Sequence, residues 1–263
     1  MMRLYPLFSS SGGNSAYIGT KEEGILIDCG AACKRITAAL DASGIPLSSV
    51  KAVFITHEHT DHIKGLKIFT KNTGIPVYSR ERTLDELFDK GHILSRAVEI
   101  KDGADVAGMH ITFFETPHDA VSPCGFRIET DNGACAVCTD LGEVTDEVMR
   151  GITGVNAILL EANYDEEMLR TGPYPYDLKR RISCGIGHLS NRQSAETALR
   201  LVRSGTTDII LGHLSQNNNT PSAALATVAD FLSGEGLING RDYMMTAAPR
   251  ETPPTGADFV TFG

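Results

Sequence analysis

The chain has 263 residues, 41% hydrophobic and 22% charged, which are globular proportions and a normal length for a layered α/β enzyme. A formal net charge of −9 argues against loose binding of polyanions across a basic face, but leaves room for a phosphate held by metal ions. No apolar run approaches the ~20 residues that span a bilayer, and Met1-Met2-Arg3-Leu4-Tyr5-Pro6 lacks the apolar core of a signal peptide; a cytoplasmic location without a membrane partner is expected.

Apolar patterning places strands at 3–8, 15–19 and 24–28, joined by short glycine-containing turns and therefore expected to form an antiparallel meander. The loop Ser9-Ser10-Ser11-Gly12-Gly13-Asn14 reads either as a hairpin turn or as a polar rim that meets a substrate phosphate. After a helix at 31–42, the apolar strand at 52–56 runs into Thr56-His57-Glu58-His59-Thr60-Asp61-His62. Side chains two apart on extended backbone share a face, so His57 and His59 can meet one ion while Glu58 points away. A turn into a helix at 61–71, signalled by Ile63, Leu66 and Phe69, projects Asp61 and His62 towards a second ion. Imidazole and carboxylate without thiolate suit Zn²⁺, Mn²⁺ or Fe. A lone histidine would read as a satisfied residue of a polar turn; three histidines and an aspartate within six positions do not.

A strand at 76–79, a helix at 82–90 and strands at 109–115, 124–129 and 134–139 follow. Cys135 and Cys138 have CxxC spacing inside an apolar strand, where buried small residues are the simpler reading, and six cysteines make no disulfide ladder in a chain this long. His118 lies just past one strand in Thr116-Pro117-His118-Asp119, and Asp140 closes another before Leu141-Gly142. Beyond a helix at 145–150, a strand at 157–161 and a helix at 165–170 comes Gly187-His188-Leu189-Ser190-Asn191, with Ser190 and Asn191 as start signals for a helix at 191–204. A strand at 208–212 ends in Gly212-His213-Leu214-Ser215-Gln216, an echo that sets two histidines in matching positions on one rim. A helix at 221–232 and a strand at 242–246 complete the pattern, and Pro249, Pro253 and Pro254 make 249–263 an irregular tail. Lys179-Arg180-Arg181, with Arg192, Arg200 and Arg203, forms a basic strip that reads as readily as a solvated helix face. No linker divides the chain, so residues 1–263 are read as one hydrolase domain. Singly, His118, Asp140 and His213 would pass for caps or surface residues. Strand ends hold exposed loops rigidly, however, and after the first motif they read as the remaining ligands of a two-metal site.

In these pieces, Asp28-Cys29-Gly30, the 57–62 run, His118, Asp140 and His213, the chain resembles the metallo-β-lactamase fold superfamily over nearly its whole length. Within it the chain looks like the YycJ-type (WalJ-like) branch of nuclease-like hydrolases. The parts that carry this are the 9–14 loop, Leu160-Glu161-Ala162-Asn163-Tyr164-Asp165, the 187–191 element and His213-Leu214-Ser215-Gln216-Asn217-Asn218. The resemblance implies an α/β fold, a four-layer αββα sandwich of two mixed sheets with helices outside and two divalent ions at one edge. It implies that His57, His59 and His118 hold one ion and Asp61, His62 and His213 the other, with Asp140 bridging. His188 would stand near the scissile phosphate, Asp61 would also orient the nucleophile, and Ser10, Asn14, Asn163 and Ser190 would face substrate.

Two such ions ~3.5–4 Å apart can share a water and ready it as hydroxide, and an imidazole is suited to protonate the departing alkoxide. The expected function is a metal-dependent phosphodiesterase, a DNA exonuclease by resemblance, with DNA as substrate and no obligate protein partner. His213 follows Asp140 by 73 residues, too few for the inserted cap of β-CASP nucleases. Asp140 follows His118 by 22, too few for the tRNA-gripping arm of RNase Z. The alternative is a small-molecule hydrolase: a cyclic or diester phosphodiesterase, or a thioester or lactone hydrolase. The acidic charge favours it; His188, a proton donor that phosphate esters need, counts against the ester branches. A non-catalytic module would have lost ligands, yet all seven positions are filled.

Overall fold

The computed structural model describes residues 1–93 and 96–263. Strands β1 (Met2–Ser10), β2 (Gly13–Gly19) and β3 (Gly24–Ile27) form the expected antiparallel meander. The chain then crosses over through helix α1 (Cys33–Ala42) to β4 (Val50–Phe54), which pairs parallel to β3. Helices α2 (Thr60–Ile63) and α3 (Leu66–Thr73) lead to β5 (Val77–Ser79), and α4 (Glu81–Asp89) to β6 (Ala97–Glu99). The second sheet opens with the antiparallel run β7 (Ala104–Val106), β8 (Met109–Glu115), β9 (Cys124–Thr130) and β10 (Gly133–Cys138). It continues in parallel through α5 (Asp146–Ile152), β11 (Ala157–Glu161), α6 (Glu166–Thr171), α7 (Tyr176–Ile182), α8 (Asn191–Arg203), β12 (Asp208–Gly212), α9 (Pro221–Gly234) and β13 (Met244–Ala247). Strand β14 (Val260–Phe262) returns to the first sheet. Among the described residues the two seven-stranded sheets run β14-β1-β2-β3-β4-β5-β6 and β13-β12-β11-β10-β9-β8-β7.

Strand periodicity sorts the apolar side chains into three cores and so makes the layers. Ile25, Ile27 and Phe54 point inward to meet Phe126, Val137, Leu159 and Ile210 of the facing sheet. Their neighbours Leu26 and Val53 point outward under Ile36, Phe69 and Leu87 of the helices. Ile158, Leu160 and Leu211 likewise lie under Val148, Ala198, Leu201 and Val228. The result is the expected αββα sandwich, and β11 is buried along its whole length because both its faces are covered. Cys135 and Cys138 are buried free thiols, as read from their strand. No helix among the described residues is long and apolar enough to cross a membrane.

Four details depart from the sequence reading. The helix expected over 61–71 is broken, because Gly65 lies against the loop after β3: its N–H donates to the Cys29 carbonyl, and a Cβ there would strike the Ala31 carbonyl. The tail is not irregular throughout, since beyond Pro254 free backbone groups pair with β1 in the register Leu4↔Val260 and bury Phe262. The basic triplet Lys179-Arg180-Arg181 lies on α7, a helix hidden behind the prolines and tyrosines that precede it. The short strands β6 and β7 also went unread; at three residues each, and with β6 wholly exposed, they carry too little apolar periodicity.

Candidate metal centre

Every residue of the site except His188 comes from a strand end or the first turn beyond one. His57 and His59 stand on extended chain past β4, Asp61 and His62 on the single turn α2, His118 past β8, Asp140 past β10, His188 ahead of α8 and His213 directly after β12. Asp28, Asp140 and His213 have left-handed backbone, with φ of 62°, 60° and 54°. That conformation costs of order 1–3 kcal/mol at a non-glycine residue, is least foreign to Asp and His, and persists where surrounding structure over-determines it. Gly30 lets the loop after β3 touch α2, for a Cβ at that position would land on the Asp61 carbonyl. The same approach lets the Cys29 N–H donate to the His62 carbonyl at 2.7 Å.

The seven expected ligands converge. Donor atoms of His57, His59 and His118 lie within 4.8 Å of one another, and so do those of Asp61, His62 and His213. Asp140 lies between the groups: Oδ2 is 3.1 Å from His62 Nε2, while Oδ1 is 3.7 Å from His118 Nε2 and 3.3 Å from His213 Nδ1. His188 joins from the side, its Nδ1 3.7 Å from Asp140 Oδ1, and with 18% of its side chain exposed it is more open than His62, His118 or His213.

Hydrogen bonds behind the rings decide which nitrogen faces the centre. His118 donates Nδ1–H to the Gly187 carbonyl at 3.0 Å, and His59 donates Nε2–H to the Asp119 carbonyl at 3.2 Å. The Thr56 hydroxyl donates to Asp28, so it accepts from His57 Nδ1 at 3.0 Å. His62 donates Nδ1–H to Asp28 Oδ2 at 2.7 Å, and His213 donates Nδ1–H to Glu161 Oε1 at 2.8 Å. The lone pairs of His118 Nε2 and His59 Nδ1 are thereby set facing each other at 3.3 Å. His57 Nε2, His213 Nε2 and Asp140 Oδ2 are buried without a hydrogen-bond partner among the described residues. An unsatisfied buried polar group costs about 1–3 kcal/mol, and acceptor facing acceptor is repulsive, so this pocket of nitrogen and oxygen donors fits a divalent cation.

Charge in the cluster follows the same division. Burial lowers the pKa of His57 and of His118 and keeps both neutral. Burial also opposes charge on His62 and His213, but Asp140 outweighs it with its neighbours, raising His62 well above the usual range and His213 to about 10. Burial pushes Asp140 up, yet His213 and His62 hold it well below the ordinary carboxylate range. A divalent cation, favoured by the same carboxylates, would compete with protons for His62 and His213.

Two functional residues escaped the sequence reading, although both lie in quoted motifs: Asp28 and Glu161. Glu161 accepts Nδ1–H from both His188 and His213 at 2.8 Å, and its Oε2 accepts the N–H groups of Leu141 at 3.0 Å and Leu189 at 3.4 Å. The signal for it was a carboxylate closing the otherwise apolar run Ala157-Ile158-Leu159-Leu160. Glu58 stays out of the cluster and accepts from the Val121 N–H. Of the four substrate-side candidates, two reach the rim. Asn14 Nδ2 lies 3.3 Å from Asp61 Oδ2 and 3.1 Å from His62 Nε2, and Ser10 lines a cavity of about 320 Å³ beside the 9–14 loop. The other two are engaged inside the fold. Asn163 donates to the His213 carbonyl at 2.8 Å, and buried Ser190 caps α8 by accepting from the Gln193 N–H while donating to Glu166. They hold the segments that carry His213 and His188 rather than facing outward.

A sequence profile described as Metallo-beta-lactamase superfamily matches residues 10–213. Exodeoxyribonuclease YycJ of Bacillus anthracis is 34% identical over 245 residues, 90% of this chain and 91% of that protein. Exodeoxyribonuclease WalJ of Streptococcus pneumoniae is 33% identical over 257 residues, 95% of this chain and 96% of that one. The crystal structure of the metallo-beta-lactamase fold protein YhfI from Bacillus subtilis superposes with a TM-score of 0.72, covering 95% of this chain and 97% of that chain, at 15% identity, a likeness of fold. The chain belongs to the metallo-beta-lactamase superfamily, in its YycJ/WalJ branch, and is a metal-dependent hydrolase.

Proposed function

We propose that the protein is a dinuclear-metal phosphodiesterase that digests DNA from strand ends. Identity of 33–34% to relatives named exodeoxyribonuclease, along nine-tenths or more of both chains, supports the substrate. The observation that carries the dinuclear reading is Asp140, whose two oxygens reach towards two separate groups of three ligands. His57, His59 and His118 would hold one ion, Asp61, His62 and His213 the other, with Asp140 common to both. Bound there, divalent ions supply Lewis-acid stabilisation of the phosphoryl charge and ready water for attack. Both sheets contribute ligands to this one centre, which supports reading residues 1–263 as one hydrolase domain.

The chain's own groups do the rest. Asp61 is 26% exposed at the mouth, with Oδ2 3.6 Å from both His62 Nε2 and His213 Nε2, and Asn14 Nδ2 steadies the same oxygen. It would be a ligand first and a hydrogen-bond partner that orients the attacking water second. His188 stands beside Asp140 Oδ1, its Nδ1–H held by Glu161, so Nε2 is the nitrogen available to protonate the leaving oxygen. Glu161 cannot swing away, because two backbone N–H groups fix its other oxygen.

The test is digestion of linear DNA labelled at the 5′ or the 3′ end by metal-replete protein, with bis(p-nitrophenyl) phosphate alongside. Release of short labelled product from one end first is the expected result. Turnover of the small diester with DNA left intact would transfer the site to a small-molecule phosphodiesterase.

A further inference from the structure

The cavity of about 610 Å³ between α6 and α7 holds none of the metal-centre residues, yet adjoins them. Its buried floor is Tyr164, whose N–H donates to the Leu189 carbonyl and whose carbonyl accepts from Asn191, so it lies against the segment bearing His188. One wall is α7, where Tyr176, Lys179 and Arg180 fall on one face at helical spacing. The same helix touches the metal centre through the next residue, Arg181, whose guanidinium donates to Asp119 at 2.6 Å; the Asp119 carbonyl in turn holds His59. Cavity and centre are thus two sides of one short helix.

The lining of this cavity is basic on balance. In a chain of net charge −9, its lining carries Arg170, Lys179 and Arg180 against the single carboxylate Glu166. Arg170 is paired with Glu167, but Arg180 has no ion pair among the described residues. Tyr176 is 76% exposed, a flat apolar ring at the lip beside these cations. An aromatic platform next to unpaired positive charge suits unstacked bases on a phosphate backbone; a duplex keeps its base faces covered and offers none to the ring.

We infer that the α6–α7 cavity binds the single-stranded DNA that flanks the scissile phosphate on the His188 side, with a base stacked on Tyr176 and backbone phosphate on Lys179 and Arg180. This rests on the DNA reading above and adds where the strand runs. It makes the cavity a determinant of DNA over small diesters, because a small diester ends before it reaches α7.

The experiment compares kcat/KM of the metal-replete chain on an end-labelled single-stranded oligonucleotide with that on bis(p-nitrophenyl) phosphate. Tyr176→Ala is expected to lower the ratio of the two by about tenfold, within the range for loss of one stacked base, and Tyr176→Phe to restore it. Arg180→Ala is expected to flatten the logarithmic salt dependence of oligonucleotide binding by about 0.7, the value for one phosphate contact on a single strand. If wild type degrades DNA and Tyr176→Ala keeps its ratio, or Phe serves no better than Ala, or the salt slope stays put, the cavity is not the strand's path. If wild type turns over the diester and leaves DNA intact, the DNA reading has failed and this inference goes with it.

Discussion

His59 and His118 hand their outer N–H groups to main-chain carbonyls and His57 leans on a hydroxyl, whereas His62 and His213, across Asp140, are backed by the buried carboxylates Asp28 and Glu161. A carbonyl fixes a ring's direction. A carboxylate fixes it and also adds charge that makes the imidazole a stronger donor. Negative charge accordingly gathers at the second group, where Asp28, Asp61, Asp140 and Glu161 surround two histidines. In the first group burial keeps His57 and His118 neutral, and the carboxylates near His118 Nε2 are Asp119 at 3.5 Å and the common Asp140 at 3.7 Å. On the two-metal reading proposed above, the second position would grip its ion more tightly than the first.

Four measurements would break or sharpen that contrast. Asp140→Ala removes the group common to both sides, so elemental analysis should find both ions depleted and DNA turnover at background; full metal content would remove Asp140 from its place between them. His188→Ala should leave metal content at the wild-type level and lower turnover by about 10²–10⁴-fold, as for loss of a general acid. An unchanged rate would take His188 out of the reaction. Asp28→Asn and Glu161→Gln should each weaken metal affinity by about 10–100-fold, the usual effect of a residue behind a ligand. At saturating metal only Glu161→Gln should remain slow, since Glu161 alone also holds His188; equal recovery of both variants would erase this distinction. The smallest effect is the order of release. Under graded chelator the ions should leave in two steps, the first from the carbonyl-backed side, and His118→Ala should abolish only that early step. Loss in a single step would show the two positions to be equal.

Much of this was legible because it is local. His57 and His59 share a face by strand period, Asp61 and His62 share one helical turn, and the apolar strands ending at His118, Asp140 and His213 marked the rim. The split helix at Gly65 and the strand at Val260–Phe262 were not legible, since each depends on a distant partner: the loop after β3 in one case, the open edge of β1 in the other. The hydrogen bonds of Ser190 and Asn163 were not legible for a related reason. Their polarity was plain, but the partners that claim it, the first turn of α8 and the His213 carbonyl, are set by packing.

What the chain's order of residues determined was the kind of donor and its local direction: nitrogen and oxygen, no sulfur, on strand ends. Tertiary structure alone chose which carboxylate stands behind which ring. Parallel register sets Glu161 opposite Gly212, and so brings it to His213, 52 residues away. The Ile27↔Phe54 pairing sets Asp28 beside Thr56 and His62. A hydrogen bond needs its partners within about 3 Å, and only the register of paired strands can specify that across so much intervening chain.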